Sequence, residues 1–315
     1  MPKPKNNVKL CFFAGCTLIL LSFLLKDIPK TPHWITVPSI ANFMGIIYLG
    51  EAITRKFRNF SLFNHIVRNP KNLIAFLIVV VVNAVVLDGI MKYAGKLWIY
   101  PHWRTIDYAT MILPAFTLYW LAIAESYLGL KTLVDYFTKG RHVIYKPLKI
   151  EKYLYPVLCA AGIIMIFWSV FIISEDYRGQ VMPYFTTTEV FDISGSYAPP
   201  ARVVIFIFTG LWFILEYIEY RRKRGSLIED IVHQYFAPLI AIFLGVVVTG
   251  SIVEFHNIPV EGWIFTNMPY PEINFLGLPA SVFLFWLLHY LVFLSLFRII
   301  VKRETLEIWR GDLIE

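Results

Sequence analysis

Charge is what this sequence has least of. Only 16% of its 315 residues are charged, against about 25% in a soluble globular protein. Cysteine is scarce as well. Cys11, Cys16 and Cys159 each lie in an apolar run. That suits small buried hydrophobes and excludes a disulfide framework or a thiolate metal site. The seven histidines do not cluster at ligand spacing, and neither a His-Glu-x-x-His motif nor a Gly-rich phosphate loop occurs. There is no Asp-Asp-x-x-Asp; the nearest approach is Glu229-Asp230. There is no serine-nucleophile motif either. These absences speak against a histidine-box di-iron enzyme, a prenyl-diphosphate magnesium site and a serine hydrolase. They imply no metal and no redox cofactor.

What is there is apolar. Hydrophobic residues make up 57% of the chain and aromatic residues 17%, with a mean hydropathy of +0.61. That excess is too large for a soluble core. It excludes a soluble enzyme, a disordered chain and a nucleic-acid-binding domain. About 20 mostly apolar residues span a bilayer. Eight stretches qualify, roughly 9–26, 37–54, 72–90, 111–131, 153–174, 201–219, 236–254 and 279–301. With no water for backbone groups, spans of this length are helices. The first is preceded by lysines, as a signal peptide would be. It runs into Lys26-Asp27-Ile28-Pro29 without a small-residue cleavage site, so it reads as a span.

Lys and Arg set orientation. The N-terminus, the segments near 55–71, 131–152 and 221–235, and the C-terminus together hold 22 of the 29. The other side holds Lys26, Lys30, Lys92, Lys96, Arg104, Arg178 and Arg202. Both termini are therefore expected in the cytoplasm, with the chain in the cell membrane. The run Arg221-Arg222-Lys223-Arg224 reads as an anchor near anionic lipid, not as a nucleic-acid patch.

The chain repeats itself at an offset of 165. Between 45–67 and 210–232, Gly45, Glu51, Ile53, Ser61, Leu62, Ile66 and Val67 meet Gly210, Glu216, Ile218, Ser226, Leu227, Ile231 and Val232. At the same offset Trp98-Ile99 meets Trp263-Ile264, Asp107 meets Glu272, and Leu113-Pro114-Ala115 meets Leu278-Pro279-Ala280. A shift of one residue pairs Asp88 with Glu254. Four spans per half is an even number, so the halves share one orientation. The expected fold is an all-α integral membrane protein with eight transmembrane helices as two parallel four-helix repeats, related by an axis along the membrane normal. Residues 1–132 form the first repeat, 133–152 a cytoplasmic linker, 153–303 the second repeat and 304–315 a cytoplasmic tail. The outer segment 175–200 has no counterpart of equal length in the first half; it reads as a lid or a longer connection.

Acids and aromatics carry the candidate chemistry. Within the membrane stand Glu51, Glu216 and Glu125, and an intramembrane acid is a functional candidate by default. The plainer reading of Glu51 and Glu216 is pairing with basic residues one turn on. At the outer face stand Asp88 and Glu254, and Asp107 and Glu272 just before spans four and eight. A neutral carboxylic acid in an apolar pocket can deliver a proton. The plainer readings are solvation at a helix end for the first pair and helix capping for the second. Trp98, Tyr100, Trp103, Tyr108, Trp263, Phe265 and Tyr270 crowd the same face. They read either as an interfacial belt or as a pocket whose rings stabilise a carbocation. The fixed Trp-to-Pro spacing of 16 in both halves favours the pocket, because a belt needs no registration. His289, near Trp286 and Tyr290, reads as a histidine hydrogen-bonded inside the bundle.

The stretch Gly262-Trp263-Ile264-Phe265, then Leu276-Gly277-Leu278-Pro279, then Phe283-Leu284-Phe285-Trp286 resembles the lycopene cyclase domain family of membrane carotenoid enzymes. Glu254 through Trp286 is also similar to the membrane carotenoid hydratases of the bacterioruberin type. The first half repeats the theme with Asp88, Trp98, Tyr100, Leu113-Pro114 and Trp120. The resemblance covers roughly 85–132 and 250–300. It implies carotenoid biosynthesis, with lyase or isomerase chemistry on an apolar isoprenoid. The cyclase family places a pair of acids soon after this proline. Here Pro114 precedes Ala115-Phe116-Thr117, and Pro279 precedes Ala280-Ser281-Val282. The family's catalytic residues therefore do not transfer. Asp88 or Glu254 is then expected as proton donor, Asp107 or Glu272 as base or second acid, and Trp98, Trp263, Tyr100 and Phe265 as the substrate face. The expected partners are the lipid bilayer and an apolar isoprenoid or lipid. The competing expectations are a lipid or proton-coupled transporter using Glu51, Glu216 and Glu125, and a non-catalytic membrane scaffold.

Overall fold

The computed structural model describes residues 5–27, 29–91, 97–102, 105–138, 149–176, 201–223 and 225–300. Helix α1 covers Lys5–Leu24, α2 Pro32–Arg58, α3 Leu62–Arg68 and α4 Pro70–Val82. α4 continues as a π-helical stretch, Asn83–Asp88. Helix α5 covers Thr105–Phe137, α6 Glu151–Asp176, α7 Ala201–Arg221, α8 Leu227–Val232, α9 Ala237–Val260 and α10 Ala280–Ile300. The strands are two residues each: β1 Trp98–Ile99, β2 Ile264–Phe265, β3 Asn274–Phe275 and β4 Leu278–Pro279.

Each of the eight apolar stretches falls on a long helix. Among the described residues, six helical runs are long and apolar enough to cross a membrane: Trp34–Arg58, Pro70–Asp88, Glu151–Glu175, Arg202–Arg221, Ala237–Val260 and Ala280–Ile300. The other two stretches lie in α1 and in α5, which is 33 residues long. The chain is an all-α, multi-pass membrane protein. The expected linker around 139–148, most of segment 175–200 and the tail 304–315 lie outside the described residues.

Local chemistry sets the helix ends. α2 opens with Pro32 after the extended Thr31, a position where proline has no N–H to lose. It closes at Asn59 in the left-handed region (φ 52°), whose N–H bonds the Thr54 carbonyl. Arg55, Lys56 and Arg58 in its last turn complement the helix dipole.

Glycines bring the helices together. α1 packs on α2, and α6 on α7. A Cβ on Gly15 or Gly45 would lie 2.9 Å from the other's carbonyl oxygen; for Gly162 and Gly210 these distances are 2.5 and 2.6 Å. In lipid, apolar faces gain little from leaving the solvent, so association relies on such close contact. α2 packs in turn on α5, and α7 on α10. In the centre Trp120 stacks on Phe293 at 4.7 Å, and Phe293 on Phe297 at 5.8 Å. At the far end Arg58 and Lys131 both donate to Asp135 Oδ2, while the Tyr235 hydroxyl donates to Oδ1 at 2.7 Å. Burial, then the adjacent Asp135 carboxylate, pushes the Tyr235 phenol up.

Gly162→Leu is expected to separate α6 from α7 and cost about 1–3 kcal/mol. A Cβ on Gly89 meets nothing within 4 Å, so Gly89→Ala should leave stability unchanged or slightly raised. Unfolding of both variants in detergent measures the contrast.

Candidate functional site

The two Trp-Ile motifs meet. β1 and β2 pair antiparallel, with Trp98 opposite Phe265 and Ile99 opposite Ile264. Thr266 N donates to the Leu97 carbonyl at 2.9 Å and extends the contact. Ile99 and Ile264, 165 apart in the chain, face each other. On either side of them stand Trp98 with Phe265, and Tyr100 near Trp263. The second hairpin explains the Gly-Leu-Pro motif. β3 and β4 pair Phe275 with Leu278, and Leu276 (φ 54°) and Gly277 (φ 81°) form the turn. Two positive φ angles in a two-residue loop define a type I′ turn. Leu278 is buried and Pro279 leads into α10. Pro114, by contrast, lies inside α5, nine residues past its start.

These loops cap a cavity of about 120 Å³ between the start of α2, the end of the α4 run, and the near ends of α5, α9 and α10. Cavities of about that size admit a benzene-sized guest. Asp88, Glu254, Trp98, Tyr100, Trp263 and Phe265 all line it. Six of the residues expected to carry the chemistry are thus brought to one place.

Glu254 is the best-defined polar group there. It is 3% exposed. Its Oε1 accepts from Trp286 Nε1 at 2.8 Å and its Oε2 from Trp263 Nε1 at 3.1 Å. Both donors are neutral indoles. Asn257, almost one helical turn on, holds the Trp263 backbone at both ends, donating to its carbonyl at 2.8 Å and accepting from its N–H at 3.0 Å. The α9 end is closed by Glu261 in the left-handed region, N–H to the Asn257 carbonyl. Lys30 bonds the Glu261 carboxyl and holds it below its ordinary range.

Asp88 is 5% exposed and its Oδ1 accepts from the Tyr100 hydroxyl at 2.8 Å. The helix before it widens because Asn83 Nδ2 bonds the Val79 carbonyl at 2.7 Å and competes for that acceptor. Asp88 follows Pro70 by 18 residues, whereas Glu254 follows Pro238 by 16. The wide turns absorb extra residues, so both acids reach the cavity. π turns recur at functional sites for this reason.

The remaining candidates lie elsewhere. Glu272 is exposed on the approach to the β3–β4 hairpin, eight residues before α10, and neither lines the cavity nor caps that helix. Asp107 falls in the first turn of α5, but its side chain lies outside the described residues, as does that of Tyr108. Trp103 lies outside them altogether. Glu51 and Glu216 do the same structural work. Glu51 Oε1 accepts from Ser61 Oγ at 2.7 Å and from Phe63 N at 2.9 Å, at the start of α3. Glu216 Oε2 accepts from Ile228 N at 3.1 Å, at the start of α8. Ser61 and Ser226 are the N-caps of those helices. Glu51 also pairs with Arg55. Glu125 is fully buried and shares the Phe63 N–H, at 3.1 Å. None of these three lines the cavity.

Of the other lining residues, Tyr119 is not singled out in the sequence and His289 reads there only as a histidine hydrogen-bonded inside the bundle. Tyr119 and His289 face the cavity, and neither belongs to a duplicated motif. The spacing of Trp286 and His289, three apart on one helix face, was the available signal.

Glu254→Gln is expected to cost about 1–3 kcal/mol, because its amide can accept from one indole only and turns a donor toward the other. Trp263→Phe in that background should recover part of the loss; detergent melting of the single and double variants tests it. No protein-family model, no curated protein and no solved structure matches this chain.

Proposed function

We propose that this chain is a membrane enzyme that protonates a double bond of an apolar, carotenoid-like isoprenoid. The observation that carries the reading is the buried Glu254 carboxyl, bonded by two indole N–H groups, on an aromatic cavity that also holds Asp88. In its acid form Glu254 gives a proton to the substrate. The faces of Trp98, Trp263 and Trp286 line the space where the cation forms, and ring quadrupoles attract positive charge. Cyclisation or capture by water then closes the reaction.

Entry from the bilayer suits such a substrate. Ile40 lines the cavity while 40% exposed, so a single side chain stands between the space and the side of the bundle. The resemblance to lycopene cyclase domains and carotenoid hydratases supports the substrate class. In this reading the chain has eight spans in two parallel repeats, with both termini in the cytoplasm, and the cavity opens near the outer face. The matched caps of Glu51 and Glu216 and the Ile99–Ile264 pairing support the duplication. With those acids engaged in capping, the transporter reading loses its relay.

The test is expression in a bacterial host that accumulates lycopene, with pigment masses compared against an empty vector. A new species of unchanged mass, or one heavier by a water, is expected. Glu254→Gln should lower its yield by about 100-fold or more, Asp88→Asn should lower it too, and Glu272→Gln should leave it unchanged. An unaltered pigment profile from folded wild-type protein would remove this reading. Loss of lipid uptake on replacing Glu51 and Glu216 would point to transport instead.

A further inference from the structure

We infer that His289 is the base that completes this reaction, taking a proton from the carbocation after ring closure; the inference rests on the isoprenoid reading above. A carbocation that becomes a ring alkene must lose a proton to something. Glu272, one group expected in that role, is exposed away from the cavity. His289 lines it.

The surroundings of His289 are not those of a histidine serving as structural glue. A buried ring normally satisfies its polar atoms, because a buried polar atom left without a partner has lost its water for nothing. Here the ring is held by other rings. The centroids of Trp120, Phe208 and Trp98 lie 5.6, 5.9 and 6.3 Å away, and those of Tyr119 and Trp286 6.4 and 6.5 Å. Among the described residues its hydrogen bonding amounts to one long contact, Tyr119 hydroxyl to Nδ1 at 3.4 Å. A neutral imidazole carries one nitrogen lone pair; with the Tyr119 hydroxyl at Nδ1, Nε2 makes no hydrogen bond among the described residues, on a ring that lines the space where the cation forms.

Acid and base also flank the same residue. Trp286 donates its indole N–H to Glu254, and His289 stands one turn further along α10. The chemistry then balances. The Glu254 O–H bond breaks and a new C–H bond forms at the terminal double bond of the substrate, leaving a tertiary cation. The π pair of a neighbouring double bond closes the ring, and the charge moves to a ring carbon. The imidazole takes the proton from the adjacent carbon, and that C–H pair becomes the ring double bond. The imidazolium returns its proton to the Glu254 carboxylate. Nothing is oxidised or reduced, and the product is an isomer of the substrate.

The test uses membranes holding the full chain, given unlabelled lycopene in heavy-water buffer. His289→Phe and the polar His289→Gln are both made, and variants are compared at matched membrane yield and melting temperature. Wild type should give a ring isomer carrying deuterium from the acid. Both His289 variants should lose that isomer by about 100-fold, while deuterium still enters the pigment as hydrated or positionally shifted products. Glu254→Gln should abolish deuterium entry altogether. An unchanged ring isomer in both His289 variants overturns the assignment. So does a switch to shifted or hydrated products in Asp88→Asn that the His289 variants lack, since Asp88 would then be the base. A wild-type chain that yields neither isomer nor deuterium removes the isoprenoid reading itself.

Discussion

A backbone in lipid must satisfy its own hydrogen bonds, and that constraint shapes the non-helical segments that cover the cavity. These are the loops around 97–102 and 261–279. They pair with each other, Trp98–Ile99 against Ile264–Phe265, and the second loop folds back on itself through the Leu276–Gly277 turn. This pairing ties the first half of the chain to the second. It also carries four aromatic side chains to the roof of one cavity. Without it Glu254 would lose the Trp263 indole, and Asp88 the Tyr100 hydroxyl.

The two halves keep some features in common and part in others. Close glycine crossings hold α1 to α2 and α6 to α7. A buried glutamate receives an N–H from the start of a short helix in each half, at Phe63 and at Ile228. The polar interior is where they differ. Tyr290, 165 residues past Glu125, hydrogen-bonds Ser126 across the bundle at 2.7 Å. α4 widens before Asp88 where α9 runs regularly to Glu254. The cavity is therefore built from unlike parts: one acid bound by two indoles, the other by a phenol, and a histidine on one side only.

Such a site sacrifices stability. Among the described residues, the buried indole nitrogens of Trp98 and Trp120 find no acceptor, and each unmet donor costs free energy that an apolar residue would not. Sites that break local consistency in this way are where function concentrates. Packing elsewhere, from the Phe293–Phe297 stack to the carboxylate of Asp135 with its three donors, holds these exceptions in place.

Much of this was readable from residue order. Hydropathy located all eight apolar helices, because span length and lipid solvation are properties of a contiguous run. The 165-residue offset matched Trp98 with Trp263 and, with a shift of one residue, Asp88 with Glu254, and those residues do share a cavity. What residue order could not supply was sorting among equals. Asp88, Glu254 and Glu272 look alike as acids near span ends, yet a hairpin carries Glu272 out to the surface while a π stretch brings Asp88 in. His289 reads as one polar residue on an apolar helix until α5, α7 and β1 close around it. Which face of a helix meets a cavity depends on how distant helices are rotated and clamped together, and no local run of residues encodes that.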